Sequence, residues 1–257
     1  PNILKLASKS MNFTQAYSPA PTCAPSRAAL LSGQHPAKMG FTHVSGGGIP
    51  KAHSRNKMIA PFIGTHLPED SLNMAEAMRN NGYRTGHVGK WHVGSAQEHS
   101  PKNEGFDFSY EERGAHRGMN DRSKDFSTDG AKDKYPLGKK LYPPLSTKNP
   151  QGIRYPQDLV TENALKFVQD SKEKPFFLYL AHWMVHYPIV TRNRQLLEFY
   201  CDKLKLDFPK DSSEITTPGQ SNPYYGAMVT TVDWSLGRLI KLLEETDDPR
   251  HPGKKLS

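Results

Sequence analysis

The feature that most constrains the fold is a nearly continuous apolar run, PFFLYLAHW, at residues 175–183. A run of this length is typical of a strand buried on both faces, as in parallel sheets that helices cover on each side. A second strand is predicted at residues 83–88, and helical periodicity is found at residues 157–169 and 224–245. Strands that alternate with helices predict an α/β fold, in which a mixed, largely parallel β-sheet is sandwiched by helices.

Local signals predict shorter elements as well. A helix is expected at residues 25–32, because Pro stands near its first turn and Gly33 follows its end. Another is expected at residues 71–80, with Ser71 as its N-cap. Residues 93–154 are polar and punctuated by Gly and Pro, which predicts a loop-rich insertion within the domain. The remaining predictions are a helix at residues 3–8, an extended piece at 12–17 and a loop at 34–70.

Composition excludes several classes of protein. The formal charge of +8 favours anionic substrates if basic residues line a cleft. No basic stripe with interleaved aromatic residues occurs, so nucleic acid is not an expected partner. No apolar run approaches the ~20 residues that span a bilayer. Cys23 and Cys201 are the only cysteines; one disulfide between them is possible, but their spacing does not indicate a zinc site.

The segment TCAPSRAALLSG, residues 22–33, places Cys23 at the start of a short helix. Unpaired backbone N–H groups and the positive end of the helix dipole attract anions there. Arg27 lies four residues further on, so its guanidinium can share a helical face with Cys23. Its planar fork of donors suits a tetrahedral oxyanion or a negatively charged nucleophile. A lone cysteine here is usually a core residue or cap, but the surrounding pattern favours a functional role.

A second segment, GYRTGHVGKWHVG at residues 82–94, ends a predicted strand at Gly89. The strand would deliver Lys90 and His92 to the carboxyl edge of the sheet, where open α/β folds bind ligands. If the backbone stays extended, these two side chains point the same way. One supplies a fixed positive charge and the other a titratable ring.

A third candidate, His186, follows the apolar run in the segment AHWMVHYP. A histidine with a pKa near ~6.5 can protonate a leaving alkoxide close to neutral pH. A purely structural histidine remains an alternative at this position.

Together these segments resemble the signatures of type I sulfatases of the alkaline phosphatase superfamily. The pattern C-x-P-S-R followed by LLSG is similar to the first signature, and GKWH at residues 89–92 to the second. Sulfatases commonly place Pro-His-x-Pro where His186 lies, and here Val185 stands in place of the first Pro. The resemblance implies that residues 1–257 are part of the large catalytic domain, incomplete at both ends, with 93–154 inserted in it.

The resemblance also implies a chemistry. The signature cysteine, here Cys23, is oxidised by a formylglycine-generating or equivalent maturation enzyme to formylglycine. In the hydrated aldehyde one hydroxyl attacks the sulfur of a sulfate ester, and the second then expels sulfate. Lys90 would contact the sulfate and the formylglycine, His92 would bond the diol, and His186 would contact the ester oxygen as general acid. Arg27 completes the catalytic set, whereas His87 has no counterpart role and is expected to be structural.

The family binds a divalent cation, usually Ca²⁺, through carboxylate and amide oxygens, which hard cations prefer. The resemblance places one ligand pair before Pro1 and another beyond Ser257, so that Cys23, as formylglycine, is the one metal-contacting position expected here. Asp247-Asp248 is interpreted as a helix exit, and Asn120-Asp121 has the reversed order inside a polar loop. We therefore expect this stretch alone to be inactive.

The leading hypothesis is a sulfuric ester hydrolase that acts on a sulfated carbohydrate or aryl alcohol in a periplasmic or secreted setting. Two alternatives stay open. One is a phosphonate or phosphodiester hydrolase of the same superfamily, and the other is a catalytically silent, sulfatase-like binding protein.

Overall fold

The computed structural model describes residues 1–44, 57–58, 62–70, 72–94, 97–113, 155, 158–187, 189, 191, 193–208 and 221–257. The predicted loop at 34–70 and the predicted insertion at 93–154 therefore lie partly outside the described residues. The chain divides into two compact units. The first contains Pro1–Asn12, Glu112–Gln169 and His182–Ser257, and the second contains Phe13–Glu111 and Asp170–Ala181.

Helices and strands alternate along the described chain, as the sequence predicted. The helices are α1 (Asn2–Ala7), α2 (Cys23–Ser32), α3 (Pro36–Met39), α4 (Met74–Asn80), α5 (Leu159–Ser171), α6 (Arg194–Leu204) and α7 (Pro223–Glu245). The strands are β1 (Arg84–Gly89), β2 (Phe108–Tyr110) and β3 (Phe176–Ala181), and a 3-10 turn spans Gln97–His99.

The three strands form one parallel sheet in the order β2-β1-β3. Arg84 pairs with Phe176 and Gly89 with Ala181, so β1 and β3 are in register along their whole length. This sheet confirms the predicted α/β class. The expectation of a β3 strand buried on both faces is wrong for the described structure, because only Ala181 of its six residues is buried and the others are half-buried.

The N-cap of α4 differs from the prediction. The helix begins at Met74, and Asn73 rather than Ser71 caps it by accepting hydrogen bonds from the N–H groups of Ala75 and Glu76. The Glu76 side chain reciprocally accepts from the N–H of Asn73, at 3.0 Å. Three-residue spacing between the cap and a glutamate is what a capping box requires, and Ser71 lacks it.

Other boundaries follow the sequence closely. Helix α2 starts two residues before the predicted position, at Cys23, and Gly33 ends it in the left-handed conformation, with φ of 67°. Helix α7 ends at Glu245, which confirms that Asp247-Asp248 is a helix exit. Helix α3 lies within the predicted loop, residues 12–17 form neither helix nor strand, and α6 was not predicted.

In the second unit, small residues on one face of α2 (Ala24, Ala28 and Leu31) pack into a core with Trp91 and Phe106. Phe106 and β2 belong to the first part of the predicted insertion, and they sit within this core and sheet. The core fixes the start of α2 and the end of β1 within one body.

In the first unit, α7 packs against α6 and α1. The Asp233 carboxylate of α7 accepts hydrogen bonds from the Asn2 and Ile3 backbone N–H groups, at 3.0 and 2.9 Å. Arg238 pairs with Glu162 on α5 at 2.5 Å. These contacts hold the first residues of the chain against its longest helix.

Candidate active site

Cys23 is the first residue of α2 and is half-buried. The preceding residue, Thr22, is extended, and its side chain makes no capping hydrogen bond. Ala24 and Pro25 are buried immediately behind Cys23. The helix start is thus held from the core side, while the positive end of its dipole lies at the cysteine.

Arg27 joins α2 to the sheet. Its Nη1 donates to the backbone carbonyl of Lys90 at 2.8 Å and to the Tyr179 hydroxyl at 3.4 Å. The guanidinium therefore bonds to the residue after β1 and to a side chain of β3. Such fixed donors hold a cationic group in one orientation beside Cys23.

The chain turns sharply where β1 ends. Gly89 has φ of 108°, and a Cβ added there would lie 2.1 Å from the carbonyl oxygen of Ala181. The Lys90 N–H donates to that same carbonyl at 2.7 Å, which continues the β1–β3 pairing by one residue. Lys90 is 2% exposed. Its burial means that substrate contact by the ammonium, predicted from the motif, stays a prediction.

His92 has φ of 63°, in the left-handed region. The premise that the backbone stays extended through Lys90 and His92 is therefore wrong, because a positive φ turns the chain between strand and loop. This turn nevertheless directs the imidazole toward α2: His92 Nδ1 lies 3.2 Å from Cys23 Sγ. Either the thiol donates to a neutral imidazole or a protonated Nδ1 donates to a thiolate.

The structure thus brings four of the five predicted site residues together within the second unit: Cys23, Arg27, Lys90 and His92. An open cavity of about 480 Å³ is lined by Cys23, Arg27 and Tyr179, together with residues 18–22. Negatively charged ligands would meet a guanidinium and a helix N-terminus in this cavity.

Tyr179 was missed by sequence reasoning, because it lies inside the apolar run and was taken only as part of a strand. The signal that could have found it is a single hydroxyl within an otherwise apolar strand. Burial raises the pKa of Tyr179 although the Arg27 guanidinium opposes the shift, so its hydroxyl stays protonated at neutral pH.

His87 is fully buried and packs edge-on against Trp91, with ring centroids 5.3 Å apart. Its Nδ1 lies 3.3 Å from the Ser109 hydroxyl. Burial lowers the pKa of His87 to about 4, and the nearby Arg27 charge acts in the same direction. The ring is therefore neutral at pH 7 and serves as a core residue beneath Lys90, in keeping with the structural role expected of it.

His186 lies in the first unit, apart from the four residues above in the division of the chain. It is exposed, its Nδ1 donates to the Tyr187 carbonyl at 2.6 Å, and its ring meets the Trp183 ring edge-on, with centroids 5.6 Å apart. Because a carbonyl only accepts, Nδ1 carries a proton and Nε2 is the remaining acid–base atom. Its contact with a substrate stays a prediction.

The described residues around Cys23 do not by themselves form a site for Ca²⁺. The residues that line the cavity include a guanidinium and hydroxyls but no carboxylate. Hard cations need several oxygen ligands, carboxylates above all, and Arg27 repels them. Asp247 and Asp248, in the other unit, are instead engaged with Lys255 and Arg250, at 2.6 and 2.8 Å. No catalytic step is therefore derived through a metal.

Comparisons with known proteins agree with this arrangement. The family model described as Sulfatase matches residues 1–250. N-acetylgalactosamine-6-sulfatase of Mus musculus is 30% identical over 247 residues, which cover 95% of this chain and 42% of the mouse protein. An arylsulfatase of Hemicentrotus pulcherrimus is 30% identical over 191 residues, covering 71% of this chain and 32% of that protein.

Solved structures share the fold. The crystal structure of Ps i-CgsB is 26% identical and superposes with a TM-score of 0.60, covering 95% of this chain and 49% of that chain. The chain thus spans less than half of the length of the relatives and structures that it matches here.

Proposed function

This chain belongs to the sulfatase family, and on that premise we propose that the protein hydrolyses sulfate esters through a formylglycine derived from Cys23. The observation that carries the proposal is the contact of Cys23 Sγ with His92 Nδ1, 3.2 Å apart at the start of α2. This sulfur marks the place that the aldehyde oxygens would take after oxidation. Hydrated formylglycine supplies a nucleophilic oxygen and a second hydroxyl whose deprotonation releases the sulfate.

Each neighbouring side chain then has a task. His92, within hydrogen-bond reach of position 23, accepts a proton from the hydroxyl there at Nδ1. Arg27, fixed by the Lys90 carbonyl, keeps a positive charge beside the reacting oxygens. Lys90 adds a second cation to the sulfate end of the site. His186, through Nε2, protonates the departing alcohol.

Carbohydrate sulfates are the proposed substrates. Relatives at about 30% identity carry the name N-acetylgalactosamine-6-sulfatase, and Ps i-CgsB, 26% identical, was crystallised in complex with a neocarrahexaose. A cavity of about 480 Å³ open to solvent suits one sulfated unit of a larger molecule. Aryl sulfates are the second substrate group, since an arylsulfatase is also among the relatives.

Maturation and location are proposed from the same family. A formylglycine-generating or equivalent enzyme would modify Cys23, and the remaining ligands of a divalent cation such as Ca²⁺ would come from residues other than those that line the described cavity. We place the protein in the periplasm or outside the cell. None of the helices that the structure describes combines the length and hydropathy that a bilayer crossing requires.

Mass spectrometry of the tryptic peptide 10–27 tests the mechanism directly. The protein is produced with a formylglycine-generating enzyme and assayed in parallel on sulfate esters and phosphate diesters. We expect the aldehyde at position 23 in active preparations, loss of sulfate release in Cys23→Ala, and retained activity in Cys201→Ala. Cys201 is the matched control, because it is the other free cysteine and lies in the other unit.

Two results would contradict the proposal. Full activity in protein that carries only the unmodified thiol would exclude formylglycine. Faster turnover of phosphate diesters than of sulfate esters would transfer the protein to the phosphonate and phosphodiester hydrolases, and retention of a sulfated ligand without turnover would indicate a binding protein.

A further inference from the structure

A second group of chemically reactive side chains lies in the same unit as Cys23 but shares no residue with the candidate active site. His66, Glu69 and His99 each offer a ligand atom, and these atoms all lie within 4.8 Å of one another. The two imidazole rings are stacked, with centroids 3.9 Å apart and planes 2° from parallel. Two imidazoles and a carboxylate in one place are a donor set that transition metals bind.

The hydrogen bonds of the two rings select the same tautomer in both. His66 Nδ1 lies 2.9 Å from the Leu67 carbonyl oxygen, and His99 Nδ1 lies 3.3 Å from Glu104 Oε1. Both of these oxygens are acceptors, so Nδ1 carries the proton in each ring. In the neutral rings, each Nε2 keeps a lone pair. An outer carbonyl or carboxylate that orients a histidine in this way is the usual arrangement around metal-bound imidazoles.

The supporting residues are themselves fixed. The Glu104 carboxylate also accepts from Asn73 Nδ2 at 3.4 Å, and the His99 carbonyl accepts from the Trp91 indole at 2.9 Å. Gly94 allows this approach, because a Cβ there would lie 2.5 Å from His99 Cβ. The 97–104 segment is therefore held against the loop that follows β1, and His99 is held with it.

We propose that His66, Glu69 and His99 form a binding site for a divalent transition metal, with Zn²⁺ as the best fit. Zinc accepts imidazole nitrogen and carboxylate oxygen at ~2.0–2.2 Å, usually with four ligands, so a water would complete the set. Ca²⁺ and Mg²⁺ fit poorly because they prefer oxygen ligands throughout. Tetrahedral ligands at these bond lengths lie ~3.4 Å apart, so binding requires the stacked rings to turn and their Nε2 atoms to converge.

The consequence is mechanical as well as chemical. A metal bound here would fasten the turn that carries His66 and Glu69 to the segment that carries His99. Because the Trp91 indole donates to the His99 carbonyl, the bound metal would also stabilise the loop that presents Lys90 and His92. The site is thus structural in its role, and it does not depend on the proposed sulfatase activity.

The experiment uses the full chain, stripped of metal with a chelator and titrated with Zn²⁺ alone by calorimetry. Co²⁺ serves as a spectroscopic probe, because its visible spectrum reports tetrahedral nitrogen and oxygen ligation. All proteins carry Cys23→Ser, so that the Cys23–His92 pair does not contribute a thiolate ligand. We expect one equivalent of Zn²⁺, a Co²⁺ spectrum of tetrahedral type, and a rise in the melting temperature on adding Zn²⁺.

Variants assign the ligands. Glu69→Gln and His99→Asn should abolish the Co²⁺ spectrum and the thermal shift, and Glu104→Gln should weaken Zn²⁺ binding by about 10- to 100-fold. His43→Asn is the matched control, an exposed histidine in the same unit, and should bind as the parent does. Glu69 is exposed, so Glu69→Gln should fold normally even if a histidine variant does not. Undetectable Zn²⁺ binding by the parent, or equal binding by Glu69→Gln, would overturn the proposal.

Discussion

The buried imidazole of His87 makes stability depend on pH in a predictable window. Burial lowers the pKa of His87 from its usual 6.5 to about 4. Above pH 6.5 the ring is neutral in both folded and unfolded chains, and its contribution is fully present. Below 6.5 the unfolded chain binds a proton that the folded chain does not, so stability falls as the pH decreases until the folded ring titrates near its own pKa.

The size of the effect follows from the same shift. Each pH unit between the two pKa values is worth about 1.4 kcal/mol, so the whole window amounts to about 3 kcal/mol. Between about pH 7 and about pH 5, His87 should account for a loss of about 2 kcal/mol in the free energy of unfolding. Carboxylates also titrate on the acid side, so the wild type alone does not isolate this contribution.

The variant His87→Gln isolates it, because glutamine is neutral throughout and can still meet the Ser109 hydroxyl. Urea unfolding of wild type and variant at both pH values gives four free energies. We expect the advantage of the wild type over His87→Gln to shrink by about 2 kcal/mol from about pH 7 to about pH 5. An advantage that stays constant would refute the assignment of a strongly lowered pKa to this ring. His43→Asn, at an exposed position, should show no such difference.

Three further predictions follow from single contacts. Arg27→Lys keeps the charge but loses the fixed bond to the Lys90 carbonyl, so kcat/KM for a sulfate ester should fall about 10- to 100-fold with little thermal destabilisation; unchanged kinetics would exclude Arg27 from the site. Gly89→Ala should cost at least about 3 kcal/mol in urea unfolding, because its Cβ would overlap the Ala181 carbonyl, whereas Gly33→Ala, with nothing within 4 Å, should cost about 1 kcal/mol; equal costs would contradict this. Asn73→Ala should lower unfolding free energy by about 1 kcal/mol, since two first-turn N–H groups lose their acceptor; Asn80→Ala, at the far end of α4, should have a smaller effect.

Local sequence patterns predicted the elements well and their detailed burial less well. The apolar run became β3 and the GKWH segment ended β1, because strand periodicity and a glycine with positive φ act over a few residues. The cap of α4 was misplaced by two residues, since the competing signal, a glutamate three residues after Asn73, was overlooked. Half-burial of β3 depends on which segments cover the sheet, and a run of apolar residues does not encode that.

For the candidate site, the motifs named Cys23, Arg27, Lys90 and His92 from sequence alone. They did not reveal that His92 takes a left-handed conformation, or that Tyr179 contacts Arg27. Nor did any pattern mark His66, Glu69 and His99, which lie in two loops without a shared period. Resemblance to a family identifies the residues that the family uses, and it carries no information about groups outside its signatures.

The sequence by itself determined the order of strands and helices, the cysteine at a helix start, and the family to which the chain belongs. Tertiary structure alone decided which of these residues meet. Cys23 and His92 are 69 positions apart in the chain, and Arg27 and Tyr179 are 152 apart. Hydrogen-bond periodicity and side-chain spacing act between near neighbours, whereas contacts at such separations arise only when the parallel sheet and the core around Trp91 have formed.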